Sequence, residues 1–171
     1  GLPERLSIPY TLLISALGIV LDVRRCVPMD LKDPGSVLAL ATADARIIPL
    51  RRAAEFHRQV SALIRGGKVK AAHDISDGGI AVAIAEMCIA SGLGAEVEHS
   101  GETHWLFADV PTSYLLEMSE KDVRAADCPL KIIGRVTAGS DGTPARLRIG
   151  GGLDVAVADL LLHRAAAHRS E

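Results

Sequence analysis

A short polar turn at residues 73–79, with the sequence HDISDGG, carries the side chains best suited to chemistry. It precedes an apolar run, Ile80 to Ala90, in which Glu86 is the only charged residue. Carboxylates suit a hydrated Mg²⁺ ion, and the amides at a helix N-terminus suit an anion. A phosphate that carries a metal ion satisfies both preferences. The turn therefore predicts a nucleotide- or phosphate-facing site formed by His73, Asp74, Ser76, Asp77, Gly78 and Gly79.

The same residues also have structural explanations. Aspartate and serine before a helix commonly accept its unpaired amides, so either Ser76 or Asp77 is the predicted N-cap. A lone histidine such as His73 is more often hydrogen-bonded within a fold than active as a base. Paired glycines let the backbone bend and approach a neighbouring element closely. From the residues alone, both interpretations remain open.

The elements around this turn predict an α+β fold. Because residues 80–90 are apolar on nearly all sides, we expect a helix at the centre of a core in which Glu86 is paired. The run from Leu12 to Val20 predicts a buried central strand. Helices are predicted at Leu50–Arg65 and Ala158–Arg169, while Leu153–Val157 is ambiguous. Further strands are predicted at Val37–Thr42, Ala95–Glu98 (an edge-like strand), Tyr114–Met118, Ile132–Val136 and Leu147–Ile149. The expected architecture is a single domain over residues 1–171, a two-layer sandwich with a mixed sheet and helices on one face.

Composition excludes several classes of function. A formal net charge of −2 over 171 residues gives no basic footprint for nucleic acid or an anionic membrane surface. No apolar run approaches the roughly 20 residues that cross a bilayer. The three cysteines, Cys26, Cys88 and Cys128, are widely spaced, which argues against a disulfide framework and a zinc site. We therefore expect a reduced, cytoplasmic protein.

Several long stretches resemble one enzyme family. Residues 73–97, HDISDGGIAVAIAEMCIASGLGAEV, resemble the signature of the C-terminal, AIR-synthase-type domain of phosphoribosylformylglycinamidine synthases. Residues 12–40 are similar to the opening of that domain, and IIGRVTAG, RLRIGG and LDVAVADLL to its closing strands and last helix. The shorter DxSDGG core also occurs in aminoimidazole ribonucleotide synthetase, selenophosphate synthetase and thiamin-monophosphate kinase, so another member of that superfamily is an alternative.

The resemblance implies a reaction and partners. The family uses ATP to activate formylglycinamide ribonucleotide, and glutamine-derived ammonia then gives formylglycinamidine ribonucleotide, ADP and phosphate. By resemblance, Asp74 lies near the Mg²⁺ of ATP or ADP. An ATP-binding synthetase domain and a glutaminase are implied as partners on another chain or a missing part, and pairing of exposed sheets predicts a homodimer or docking onto a partner.

Two departures from the family pattern affect the expected pocket. The segment Leu106–Pro111 lacks the family's glutamate, and Ala41–Ile48 is shorter than usual. The resemblance also assigns the ATP-binding domain and the glutaminase to other parts of the enzyme, so the chain is expected to be inactive alone. A non-catalytic structural or nucleotide-holding module is the main alternative.

Overall fold

A computed structural model describes residues 13–20, 22–43, 49–98, 104–140, 142–150 and 152–167. After a 3₁₀ turn at Val23–Arg25, twelve helices and strands follow in these regions. They are β1 (Val37–Thr42), α1 (Leu50–Arg65), β2 (Val69–Asp74), α2 (Gly79–Ser91), β3 (Gly94–Val97), α3 (His104–Phe107), β4 (Ser113–Met118), α4 (Glu120–Ala125), β5 (Leu130–Thr137), β6 (Arg146–Ile149), β7 (Leu153–Ala156) and α5 (Val157–Ala167).

The seven strands form one mixed sheet in the order β2-β4-β1-β5-β3-β6-β7. β3 and β6 run parallel, and the remaining neighbours are antiparallel. The predicted α+β class is confirmed. The strand predicted at Ala95–Glu98 lies between β5 and β6, so it is not at an edge of the sheet.

The main core lies between the sheet and α2. Ile80, Ile84 and Met87 are fully buried there and pack with side chains such as Leu38 and Leu115. α1 contributes to a second, smaller cluster, in which Phe56 and Val60 pack with Ala41, Leu116 and Met118. Along β1 and β4, residues of this second cluster alternate with residues of the main core, and alternate side chains of a strand point to opposite faces of the sheet. α1 therefore covers part of the sheet face opposite α2. β1 and α1 have the bounds that their patterns predict.

The prediction of a buried central strand at Leu12–Val20 is wrong for the residues that the structure describes. Residues 13–20 have no regular secondary structure and are exposed, with Leu13 at 87% and Leu17 at 104% relative accessibility. Leu12 lies outside the described residues. The pattern identified an apolar segment correctly, but hydropathy does not show which surface covers it.

Two short helices were not predicted from the sequence. α4 begins after Ser119, whose hydroxyl accepts the Asp122 amide at 3.1 Å, a capping pattern that is visible in the sequence. α3 spans only four residues. The sequence leaves the structure of Leu153–Val157 ambiguous. In the structure, this segment forms β7 and the first residue of α5. Within the described regions, no helix is both long enough and apolar enough to cross a membrane.

A buried carboxylate fixes the loop before β1. Glu117 on β4 is fully buried, and its Oε2 and Oε1 accept the backbone amides of Lys32 and Asp33 at 2.8 and 2.9 Å. Leu31, in the same loop, is buried in the main core. Two charge-assisted bonds to backbone amides offset the cost of burying the charge.

Replacing Glu117 with glutamine removes one of these acceptors. In Glu117→Gln, an amide NH₂ faces a backbone N–H, so we expect a loss of about 1–3 kcal/mol in the free energy of unfolding. Urea denaturation monitored by circular dichroism measures it. Exposed Glu98 is the matched control, and Glu98→Gln should change stability little. Equal effects of the two substitutions would contradict this assignment.

Candidate functional site

The polar turn connects the end of β2 to the start of α2. β2 ends at Asp74, and the side chain of Ile75 is buried behind it. Ser76 and Asp77 are exposed. The predicted N-cap is wrong, because the cap residue is Gly78 at φ +83° and no side chain caps the helix. The Gly79 amide instead donates to the main-chain oxygen of Ser76 at 2.9 Å.

The glycine pair lets α3 lie against the start of α2. Gly79 has φ +66°, and a Cβ placed there would lie 2.6 Å from the carbonyl oxygen of Leu106 and 2.7 Å from the carbonyl carbon of Phe107. A Cβ at Gly78 would lie 2.4 Å from a methyl group of Val82. The two glycines therefore allow close packing at this point, as their structural explanation predicts. In the first turn of α2, Gly79 and Ile80 are buried.

His73 links the strand to the helix. Its Nε2 lies 3.1 Å from Oε2 of Glu86 on α2, and its Nδ1 lies 2.6 Å from the main-chain oxygen of Asp74. Since a carbonyl oxygen only accepts, Nδ1 donates to it. The expectation that Glu86 is paired holds, and its partner is His73. The histidine therefore has a structural role at the end of β2.

Asp74 faces a pocket between α1 and β2 on the other side of the strand. This α1–β2 pocket has a volume of about 380 Å³, and Asp74 is 67% exposed at its wall. Tyr114 is the β4 partner of Asp74, and its hydroxyl lies 2.8 Å from Nδ1 of His57 on α1. The lining residues are Met29, His57, Val60, Ser61, Ile64, Ala72, His73, Asp74 and Tyr114.

The structure therefore separates the residues of the predicted site. His73 and Asp74 reach the α1–β2 pocket, whereas Ser76, Asp77, Gly78 and Gly79 do not line it. His57, Tyr114 and Met29 were missed by sequence reasoning. The helical spacing of His57, Val60, Ser61 and Ile64 places them on one face of α1. However, only the paired strands bring Tyr114 to that face.

The charge of Asp74 affects the phenol beside it. Burial, and then the negative charge of Asp74, raise the pKa of Tyr114 above its usual value of 10.0. Tyr114 therefore keeps its proton at neutral pH and remains a hydrogen-bonding group in the pocket wall.

Metal and thiol chemistry have little support in the described parts of the chain. No group of three or more His, Cys, Asp or Glu residues there is placed to hold a metal ion. The three cysteines are free thiols. Burial raises the pKa of Cys88 to about 12, so this thiol is not a ready nucleophile. The site therefore offers carboxylate and hydrogen-bonding groups.

The sequence matches the model of a known protein family. The model of the family described as "AIR synthase related protein, C-terminal domain" matches residues 49–145. This range includes α1, β2, the turn and α2. It therefore contains the whole predicted site.

Two curated relatives with the same name are much longer than this chain. The chain is 39% identical over 119 residues to the "Phosphoribosylformylglycinamidine synthase subunit PurL" of Brucella ovis, and equally to that of Brucella canis. Each match covers 64% of this chain and 15% of the relative. The chain thus spans about a seventh of the length of these relatives.

Solved structures share the fold at low sequence identity. "Structure of PurLQS from Thermotoga maritima" matches 82% of this chain and 28% of that chain, with a TM-score of 0.65 and 15% identity. "T. maritima PurL complexed with FGAR" matches 81% and 30%, with a TM-score of 0.62 and 15% identity. Thiamine monophosphate kinase from Aquifex aeolicus matches 76% and 54%, with a TM-score of 0.51 and 16% identity. These likenesses show the fold alone.

Two glycines with the same backbone conformation test the packing of α3. Gly67 and Gly79 both have φ +66°, but nothing lies within 4 Å of a Cβ at Gly67. Gly67→Ala should cost about 1–2 kcal/mol for the left-handed conformation. Gly79→Ala should cost about 1–3 kcal/mol more, because its methyl group overlaps the α3 backbone. Chemical denaturation of both variants measures the difference, and equal losses would show that α3 does not press on Gly79.

The environment of Tyr114 predicts a shift in its titration. Absorbance at 295 nm, taken as the difference between the parent chain and Tyr114→Phe, should show that this phenol ionises above its usual pKa of 10.0. Asp74→Asn should bring the pKa closer to that value, and Asp77→Asn should have less effect. Because the folded state holds this proton more tightly, its contribution to stability is present below pH ~10 and is lost as pH rises through the raised pKa. A titration unchanged by Asp74→Asn would contradict the placement of this carboxylate.

Proposed function

The chain belongs to the family of AIR synthase related proteins, C-terminal domain, and on this basis we propose that it is a domain of a phosphoribosylformylglycinamidine synthase in purine biosynthesis. The observation that carries the proposal is the sequence similarity to curated PurL subunits, which includes residues on either side of the polar turn. The fold shared with solved PurL structures is consistent with it.

The proposed reaction requires more protein than this chain contains. The complete enzyme would convert formylglycinamide ribonucleotide, glutamine-derived ammonia and ATP into formylglycinamidine ribonucleotide, ADP and phosphate. This chain corresponds to 15% of the curated relatives. We therefore assign ATP activation to a partner ATP-binding domain and ammonia production to a glutaminase, with this chain inactive alone.

The turn between β2 and α2 would face the phosphates of the nucleotide. In this proposal, His73, Asp74, Ser76, Asp77, Gly78 and Gly79 form that face. Mg²⁺ commonly binds through one or two carboxylates together with phosphate oxygens and water. A single carboxylate from Asp74 is compatible with that chemistry, although the described residues form no complete metal site. Solved structures of T. maritima PurL are complexed with ATP, with ADP and with FGAR.

The exposed segment 13–20 would be the contact with the partner domain. Leu13, Leu17 and Ile19 are at least 87% exposed, and Val23 is 77% exposed. Burying a leucine or isoleucine side chain contributes about 1.5–3 kcal/mol, so covering this segment would stabilise an assembly substantially. The partner domain is the proposed cover, and the other candidate is a second copy of this chain.

A non-catalytic structural or nucleotide-holding module is the second candidate function. The structural form, which binds no phosphate at this helix end, is favoured by the close approach of the α3 backbone to Gly79, which places carbonyl oxygens beside the start of α2. Carbonyl oxygens compete with a phosphate for the positive end of a helix. In addition, Asp109 and Val110 occupy positions where the family pattern has glutamate and a further pocket residue.

Complementation of a truncated relative tests the proposal. This chain, added to a Brucella PurL subunit cut before the matching domain and supplied with ammonia, should restore formation of formylglycinamidine ribonucleotide. Leu17→Asp should weaken the complex because it places a charge in an apolar contact, whereas the exposed control Lys121→Asp should not. Product formation and co-elution by size-exclusion chromatography are the measurements.

The effect of Asp74 separates the two candidate functions. Asp74→Ala should abolish the restored synthesis and weaken Mg-ADP binding in the complex, as measured by calorimetry. Mg-ADP binding without any synthesis, in the presence of a well-formed complex, would support the nucleotide-holding module. A chain that neither joins the truncated subunit nor restores synthesis would overturn the proposed function.

A further inference from the structure

Glu86 is the only charged residue of α2, a helix built otherwise from small and apolar residues. The next two residues, Met87 and Cys88, are fully buried, and the Glu86 side chain is 39% exposed. A carboxylate at the margin of a core is costly to desolvate unless it is paired or hydrogen-bonded. Leucine would extend the apolar helix without that cost. Core packing therefore does not account for a glutamate at this position.

The imidazole of His73 connects Glu86 to the main chain at Asp74. The ring is 13% exposed, and its two nitrogens contact different partners. Nε2 lies 3.1 Å from the Glu86 carboxylate, and Nδ1 donates to the main-chain oxygen of Asp74 at 2.6 Å. Because the ring is planar and rigid, contacts at both nitrogens fix its position. Glu86 therefore holds the ring from the helix, and the ring holds the carbonyl group of Asp74.

The peptide group between Asp74 and Ile75 is held at both ends. Its carbonyl oxygen accepts the bond from His73, and its N–H donates to the main-chain oxygen of Ser113 at 3.2 Å. β2 lies at the edge of the sheet, where β4 is its neighbouring strand. Since a peptide group is planar, contacts at its oxygen and its nitrogen fix the orientation of the whole plane. That orientation determines where the chain and the Asp74 side chain point as β2 ends.

We propose that Glu86 is a positioning residue that, through His73, holds the Asp74 carboxylate in place for a Mg²⁺ ion on the phosphates of the ligand. The inference rests on the proposed function, because it takes Asp74 as the metal-facing carboxylate. Asp74 is 67% exposed, so its side chain has room to reach a metal ion. Hydrogen-bond partners that orient a metal ligand strengthen metal binding without touching the metal. Glu86 has this role at the turn.

Two substitutions of Glu86 separate its hydrogen bond from the rest of the side chain. Glutamine has nearly the same shape, and its amide either donates to Nε2 of His73 or accepts from it, so Glu86→Gln keeps the link. Leucine is a good helix former and suits an apolar helix, but Glu86→Leu removes the link. Glu86→Leu is therefore the test variant and Glu86→Gln is its matched control. If Glu86→Leu lowers the melting temperature, Glu86→Ala replaces it.

Hydrogen exchange on the chain alone, followed by NMR, tests the link independently of any ligand. In Glu86→Leu, the amide of Ile75 should exchange about two- to tenfold faster, which is the change expected when one hydrogen bond is lost. In Glu86→Gln, it should exchange at the parent rate. An unchanged rate at Ile75 in Glu86→Leu would overturn the inference and leave the proposed function intact.

Binding of Mg-ADP tests whether the link positions Asp74. Calorimetry on the complex of this chain with the truncated Brucella subunit should show binding that is about tenfold weaker in Glu86→Leu, as for other partners that orient a metal ligand. Binding of ADP in EDTA should stay at the parent value. In an Asp74→Ala background, Glu86→Leu should have little further effect, because its action passes through Asp74. A purely structural role would weaken binding in both backgrounds, with or without the metal ion.

The outcomes separate this inference from the function on which it rests. A metal-specific loss in Glu86→Leu that disappears in the Asp74→Ala background supports both. Equal affinities of Glu86→Leu and the parent, or equal losses in the two backgrounds, overturn the positioning role and leave the proposed function in place. A parent complex that binds no Mg-ADP, or binding that Asp74→Ala does not weaken, removes the metal-facing turn and the positioning role with it.

Discussion

Burial of α2 against the sheet is the constraint on which the rest of the structure depends. The helix has buried side chains on nearly all sides, and Ile80, Ile84, Met87 and Cys88 are fully inaccessible. A helix enclosed in this way has little freedom to rotate or slide, because close-packed interiors do not deform continuously. Its first residue is also fixed by the α3 backbone at Gly79. The position of the polar turn therefore follows from the packing of the core.

The His73–Glu86 pair extends that constraint to the end of β2. Glu86 is the only charged side chain of α2, and it contacts the one histidine of the adjoining strand. His73 in turn donates to the main-chain oxygen of Asp74. α2 thus holds both ends of the turn. Gly79 belongs to the helix itself, and the side chain of His73, which contacts Glu86 on the helix, binds the main-chain oxygen of Asp74. Fixed geometry of this kind lowers the entropic cost of binding a ligand.

The sequence predicted local elements well and long-range neighbours poorly. Phe56, Val60, Leu63 and Ile64 lie on one face of a helix, which is enough to place α1, and the short apolar run at residues 37–42 indicates β1. In contrast, the α1–β2 pocket depends on the pairing of Asp74 with Tyr114, forty residues away in the sequence, which no local pattern contains. The cap at Gly78 was missed because a left-handed glycine replaces the side-chain oxygen that the pattern suggested. The error at residues 13–20 has the same origin, since hydrophobicity indicates burial without naming the partner surface.

The exposed segment and the α1–β2 pocket are connected through the same loop. After the 3₁₀ turn at Val23–Arg25, the main-chain oxygen of Pro28 accepts the amide of Ala72 on the edge strand β2 at 3.0 Å. The next residue, Met29, lines the pocket, and Lys32 and Asp33 are held by buried Glu117. Residues 13–20 therefore lead directly to one wall of the pocket, and the distal part of that loop is anchored to the core. A partner that covers residues 13–20, as proposed above, would contact the chain within nine residues of Met29, so the proposed docking would act on the loop that contributes to this wall of the pocket.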